Sequence, residues 1–326
     1  MTDKRTSLEG SRCLVTGGAG LVGSHITRQL VDAGAAEVVV YDNLVRGTEE
    51  QLKRLLPDGG YRLLKADMRD MWRMRQAMEG IDFVFHQAAM WLRECQAHPR
   101  ESIEVNVIGS YNVFEAAVEA GAKKVVAASS SSVYGDGLYL PTDEDHPFNN
   151  DLFYGATKVA GEQLLRCFEK EHGLEYIALR PLNIYGPHQA SGSVYMDVIG
   201  HFANRIEQGE PPRIEGDGSQ TLDMVYVADC ARANLLAMES PVKGEVFNVA
   251  SGHETTLTEL AETMLRLYGR EDLEPDYVPR DSKLVGRRWG SPDKAREMLG
   301  FELEISVEEG LRRVIESRPT APAPAS

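Results

Sequence analysis

The chain has 326 residues, with 35 Lys and Arg against 50 Asp and Glu, giving a formal charge of −15. That balance argues against nucleic acid as a partner, because a phosphate backbone is held by clustered cations and the short basic runs here, such as Arg287-Arg288, lie among acidic residues. No stretch approaches the roughly 20 apolar residues of a spanning helix, and MTDKRTSLEG at the start has no apolar core of the signal-peptide kind; no membrane association and a cytoplasmic location are expected.

Short β-branched runs alternate with helical patterns along the chain. Strands are expected at 12–16, 37–41, 61–65, 81–86, 124–129 and 176–180, with helices at 23–33, 101–120 and 153–172 between them. EVVVYD and IDFVFH are apolar nearly throughout, as suits strands buried on both faces of a parallel sheet. The order βαβαβ predicts an α/β fold with a Rossmann-type doubly wound parallel sheet. After Arg180 the character changes: Pro181, Pro187, Pro211, Pro212 and the GDGS turn at 216–219 punctuate shorter elements. A smaller C-terminal domain is therefore expected over 181–316, with 8–180 as the first domain and a frayed tail at 317–326. The segments 224–227, 228–237 and 245–249 are apolar enough to return to the first sheet.

The first strand runs straight into GGAGLVG, where Gly18, Gly20 and Gly23 satisfy G-x-G-x-x-G and Gly17 adds an earlier glycine. Such glycines let backbone N–H groups approach a pyrophosphate at a helix N-terminus and let helix and strand pack closely. Asp42 ends the second strand 19 residues after Gly23, where a carboxylate accepts hydrogen bonds from an adenosine ribose. The same carboxylate would repel a 2′-phosphate, so the expected cofactor is NAD and not NADP. Arg46 lies nearby in sequence and reads as a solvated loop residue.

Tyr154 and Lys158 are four apart at the start of a helical run, so their side chains share one face. An ammonium beside a phenol favours the phenolate, which fits Tyr154 to take a proton from a substrate hydroxyl as hydride leaves the same carbon. Alone, YxxxK also suits an ordinary surface helix; here it comes after a dinucleotide fingerprint and a strand ending in SSSSVYG.

TGGAGLVGSH, YDNL, HQAA at 86–89, NVIGSYNVFEAA from Asn106, SSSSVYG, YGATKVAGE, RPLNIYGP at 180–187 and GDGSQTLDMVYVADCARA from Gly216 together resemble the extended short-chain dehydrogenase/reductases, in their UDP-glucose 4-epimerase-like branch of nucleotide-sugar epimerases and dehydratases. The likeness covers nearly the whole chain. It implies an NAD-binding first domain and a substrate-binding second one, with cofactor contacts at Gly17, Gly20, Leu21, Val22, Gly23, Asp42, Asn43, Asp67, Met68, Ala88, Asn106, Tyr154 and Lys158. It places Asp67 on the adenine side and makes Ser130 the hydroxyl that helps polarise the substrate oxygen, although a serine run equally suits strand-end packing. Dimers in the family pair two long helices, here 101–120 and 153–172, which implies a homodimer. Val105, Val113, Ala117, Leu164 and Leu165 fit either that interface or the core.

Members of the family share oxidation of a sugar hydroxyl to a ketone and differ in the fate of that ketone. The dehydratases carry an Asp-Glu pair at the two positions before the residue equivalent to Val133, and the decarboxylases a Glu directly before it; this chain has Ser131 and Ser132. With no carboxylate to shuttle protons, the expected reaction is epimerisation of a nucleotide-activated sugar, at C4. The alternatives are a net dehydrogenase on a non-standard hydroxy substrate, a dehydratase or decarboxylase, and, last, a non-catalytic NAD sensor. Two departures concern the substrate: Glu215 replaces an aromatic residue that stacks on the base, and Leu222 replaces an arginine that reaches the diphosphate. Arg213, Arg280, Arg287 or Arg288 could compensate, Arg288 being the chosen candidate, or the ligand lacks the diphosphate. Met90, Trp91, Ser131, Ser132, Asn183 and Tyr195 complete the expected substrate contacts, with packing as the competing role for Trp91 and Tyr195 and turn formation for Asn183. His86 reads as a packed or hydrogen-bonded imidazole. Cys13, Cys95, Cys167 and Cys230 are far apart, so reduced thiols are expected and no metal is indicated.

Overall fold

The computed structural model describes residues 5–188, 197–279 and 286–318. Six strands, β1 (Arg12–Thr16), β2 (Glu37–Asp42), β3 (Arg62–Lys65), β4 (Phe83–His86), β5 (Lys124–Ala128) and β6 (Glu175–Pro181), form a parallel sheet in the order β3-β2-β1-β4-β5-β6. The order reverses between β1 and β4, so the crevice for a ligand opens at the carboxyl ends of those two strands. Beyond β6 come β7 (Asn183–Tyr185), β8 (Arg213–Glu215), β9 (Thr221–Leu222), β10 (Met224–Tyr226), β11 (Glu245–Val249), β12 (Thr255–Thr256) and β13 (Asp276–Val278). β11 extends the sheet beside β6, while the other six pair off in three two-stranded sheets.

Side chains alternate between two apolar cores. Cys13 and Val15 face one and Leu14 the other, as do Phe83 and Phe85 against Val84, which is why these strands carry no polar face. The helices are α1 (Leu21–Asp32), α2 (Glu49–Leu55), α3 (Met71–Met78), α4 (Leu92–Ala97), α5 (Pro99–Ile103), α6 (Ser110–Ala120), α7 (Phe153–His172), α8 (Asp197–Glu207), α9 (Val227–Glu239), α10 (Leu257–Leu267), α11 (Asp293–Leu299) and α12 (Val307–Glu316). Ile26 and Leu30 of α1, Ala231 and Met238 of α9 and Leu299 of α11 cover the first face; Met74 of α3, Phe114 of α6 and Phe168 of α7 cover the second. A third core, with Phe202 of α8, Met264 of α10 and Leu311 of α12, lies in the C-terminal part.

Two expectations are corrected and one is refined. Met224–Tyr226 does not rejoin the large sheet: Leu182 N still bonds Val249 O at 3.0 Å, but Asn183 N turns to Asp223 O at 3.1 Å, so β7 leaves the sheet edge and takes β10 as its partner. The helix expected over 101–120 is present but not uniform: Glu104–Gly109 form a π-helical turn that joins α5 to α6 without a gap. Arg318, placed in the expected tail, is anchored to Glu207 at 2.6 and 3.0 Å.

Of the apolar residues that fitted either interface or core, Val113, Ala117 and Leu165 lie fully in the core, and Val105 and Leu164 pack against it. What these helices expose instead is Ile108 in the π turn (53% exposed), Tyr111 on α6 (40%) and Phe153 on α7 (47%).

Candidate active site

The glycine turn between β1 and α1 is a backbone cradle. Gly17 takes φ +66°, and a Cβ there would stand 2.8 Å from Ala88 N; a Cβ on Gly23 would collide with the Gly17 carbonyl. Gly20 precedes α1 and makes no side-chain cap, leaving first-turn N–H groups for an anion, with the helix dipole behind them. Leu21 and Val22 turn their side chains into the cores and so offer a ligand backbone only. Ala88 N donates to Thr16 Oγ1 at 3.2 Å, fixing the loop after β4 beside this turn.

Asp42, 8% exposed, accepts from Ala19 N at 3.0 Å and Leu44 N at 2.8 Å. The carboxylate therefore shapes the glycine turn and keeps lone pairs for ribose hydroxyls; burial pushes its pKa up. Asn43 donates to Asp67 at 3.1 Å, and Arg69 grips Asp67 through two 2.9 Å bonds, holding its pKa down to about 2. Met68 is 5% exposed and packs on Gly109, so a ligand meets its backbone and not its side chain. A cradle that any Cβ would fill, an uncapped helix N-terminus and a buried strand-end carboxylate fit a dinucleotide.

Asn106, expected among the cofactor contacts, clamps two segments of the chain together. Its Oδ1 accepts from Met90 N at 2.6 Å, and its Nδ2 donates to Met90 O at 2.9 Å and Thr157 Oγ1 at 3.0 Å. The π turn brings this amide between the Met90 loop and α7, and both of its donor hydrogens are committed. His86 bonds Thr16 through Nδ1 at 2.7 Å and Ser110 through Nε2 at 2.8 Å, and burial drops its pKa to about 3.

At the end of β5, Ser130 caps a 3₁₀ turn, Ser131–Tyr134, and meets Ser132 N and Ser132 Oγ at 3.1 Å. Lys158 Nζ donates to Ala128 O at 2.7 Å and stands 5.7 Å from the Tyr154 ring centre. The expected charge balance is only half present. Burial pushes the Tyr154 phenol up to about 12 against the pull of Ser130 and Arg46, and the same burial brings Lys158 down to about 8. Desolvation is the largest influence on both groups, so without further positive charge Tyr154 is a phenol.

A buried ion pair that sequence reasoning missed lies beneath. Glu162, one turn after Lys158, takes two bonds from Arg180 at 2.8 and 2.7 Å and a short one from Ser129 Oγ, the neighbour of Ser130. Arg180 also donates to Tyr134 Oη at 3.0 Å, whose hydroxyl donates to Asn248 at 2.6 Å. The serine strip is thus bolted to α7. The only sequence signal was Glu162 at helical spacing from Lys158.

On the substrate side, Ser131, Leu140, Leu182, Arg288 and Trp289 line a pocket of about 270 Å³. Leu222 is 7% exposed and belongs to the third core, so it cannot reach that pocket's mouth as a polar group. Arg287 is paired with Glu254 at 2.9 and 2.5 Å, and Arg213 with Asp276 at 2.9 Å; Arg287 and Arg288 both line the pocket. Asn183 donates Nδ2 to Asp223 O at 3.0 Å, a tie between β7 and β10. Glu215 is exposed on β8. Trp91 precedes α4 and carries Arg46 over its ring, 3.5 Å from the centre; Arg46 is exposed, as expected of a loop residue, and stacks on the indole. Tyr195 and Arg280 lie outside the described residues.

A model of the NAD dependent epimerase/dehydratase family matches residues 13–250. The chain is 35% identical over 306 residues to a putative UDP-glucose 4-epimerase of Methanocaldococcus jannaschii, covering 93% of this chain and 96% of that protein. It is 33% identical over 321 residues to a UDP-N-acetyl-alpha-D-glucosaminuronate decarboxylase of Bacillus cytotoxicus, covering 94% and 97%. The solved UDP-glucose 4-epimerase of Thermotoga maritima with UDP-glucose superposes with a TM-score of 0.86 at 35% identity, covering 94% of this chain and 98% of that one.

Proposed function

Because the chain belongs to the NAD dependent epimerase/dehydratase family, we propose that it uses NAD to invert C4 of a UDP-sugar through a transient ketone. The observation that carries this reading is the pairing of an assembled Ser130, Tyr154 and Lys158 with hydroxyls, not carboxylates, at Ser131 and Ser132. A ketone formed here has no adjacent acid to drive loss of water, and no glutamate where the family's decarboxylases carry one. Reorientation of the keto sugar and return of hydride to its other face is the course left open.

Each side chain has a stated task. Tyr154 removes the proton from the sugar hydroxyl and later returns it. Ser130, which already draws the Tyr154 pKa down, donates to the same substrate oxygen. Lys158, fixed on Ala128 O, holds positive charge beside the phenolate as it forms. Asp42 takes the adenosine ribose hydroxyls and the N-terminus of α1 the pyrophosphate. NAD, when bound, supplies the hydride acceptor and donor and a positive nicotinamide that favours the phenolate.

Leu222, buried where relatives carry an arginine, favours one second reading: a net dehydrogenase on a hydroxy compound without a nucleoside diphosphate. Incubation with a panel of UDP-sugars, read by proton NMR with absorbance at 340 nm, separates them. The expected result is a C4 epimer without accumulating NADH. A 4-keto-6-deoxy product, carbon dioxide or stoichiometric NADH would overturn the proposal.

We assign the dimer expected of the family to the face formed by Ile108, Tyr111 and Phe153, with a second copy of the chain as the occupant. A cytoplasmic location is supported by four free thiols, three of them buried. Among the described residues no helix is long and apolar enough to cross a membrane. Residues 8–180 with β11 and α9 are taken as the NAD-binding unit, and the third core as the substrate-binding one.

A further inference from the structure

Arg46 lies in the loop between β2 and α2, directly over the glycine turn. Its neighbour Gly47 is packed so closely that a Cβ there would stand 2.6 Å from the Ala19 carbonyl carbon, and Thr48 N donates to Ala19 O at 3.3 Å. The guanidinium stacks on Trp91 and influences Tyr154. Trp91 is in turn held by the loop that Asn106 clamps. Among the described residues, Arg46 makes no hydrogen bond and no ion pair; Glu94 acts on it only through longer-range charge. Trp91 Nε1 is buried with no acceptor. A stacked cation with open donors and an N–H lacking an acceptor therefore sit together on the two loops that pack against the glycine turn, one at Gly47 and Thr48 on Ala19 and the other at Ala88 on Gly17.

We propose that Arg46 and Trp91 form an anion bracket that closes a diphosphate, that of the dinucleotide, against the N-terminus of α1. This rests on the dinucleotide reading of the glycine turn and extends it. A guanidinium offers paired donors to phosphate oxygens and is less strongly hydrated than an ammonium; the indole face fixes its plane, and an oxygen in the bracket satisfies the orphaned indole N–H. Glu94, whose charge favours the Arg46 cation, opposes the anion. The bracket slows escape of a cofactor that an epimerase regenerates and has no need to exchange.

The test is calorimetric titration of cofactor-stripped protein with ADP-ribose, adenosine and UDP, comparing wild type with Arg46→Ala, Arg46→Lys and Trp91→Leu. For Arg46→Ala the expected result is a loss of about tenfold or more in ADP-ribose affinity, as for one lost charge-assisted hydrogen bond, with adenosine and UDP unchanged. Arg46→Lys and Trp91→Leu should fall between. Unchanged ADP-ribose affinity in Arg46→Ala, or a loss for UDP as large as for ADP-ribose, would overturn the bracket. Wild-type protein that binds no ADP-ribose would overturn the dinucleotide reading beneath it.

Discussion

At Tyr154, burial and charge pull in opposite directions, and burial wins: the phenol is pushed up to about 12 and Lys158 brought down to about 8. Removing the phenol oxygen should therefore remove the chemistry and little else. Tyr154→Phe is expected to lower kcat by about 10²- to 10⁴-fold while NAD affinity, measured by titration, stays at the wild-type value. Lys158 also imposes a pH dependence on the cofactor-free protein. Its folded pKa, about 8, lies below its ordinary 10.5, so between these values the unfolded chain holds the proton and the folded one does not. Stability then rises with pH across that window. Urea unfolding midpoints measured from pH 8 to 10.5 should show this rise in the wild type and a flatter profile in Lys158→Met. The residues of this site were legible because their chemistry fixes their spacing, four along a helix and three along a glycine turn. Arg46 was not, because its stack joins two loops 45 residues apart and no local pattern marks it.

Among the elements, β5 and α7 carry the reaction jointly, and their junction is the Glu162–Arg180 pair with Ser129 on one side and Tyr134 on the other. Removing one member of a buried pair strands the other charge, at a cost of about 3–5 kcal/mol. Glu162→Ala should lower the thermal midpoint accordingly, and adding Arg180→Met should restore part of the loss; a single variant with wild-type stability would contradict the assignment. Strands such as β1, β2 and β4 were legible in the sequence because both of their faces are apolar, and α7 because its 3.6-residue period is unbroken. The π turn at Glu104–Gly109 was not, since one extra residue in a turn leaves the apolar period on either side intact. Nor was the pairing of β10, because three apolar residues suit any sheet edge, and the choice rests on Asn183 and Asp223.

For the whole molecule, two cores pack on the two faces of one parallel sheet, and a third core lies in the C-terminal part. The apolar face assigned to the dimer is made of the exposed Ile108, Tyr111 and Phe153. If a second copy covers it, Ile108→Asp with Tyr111→Glu should give a monomer by light scattering while the single-chain fold, monitored by circular dichroism, is kept; a monomeric wild type would refute that face. Leu222, where the family resemblance implies an arginine, is buried in the third core. The central claim, oxidation and re-reduction at one carbon, is tested most directly by incubating the protein with UDP-glucose carrying deuterium at C4 and locating the label by NMR. Deuterium retained at C4 of a UDP-galactose product is the expected outcome for this site. Label transferred to C6, lost to solvent, or accumulated in NADH would contradict it.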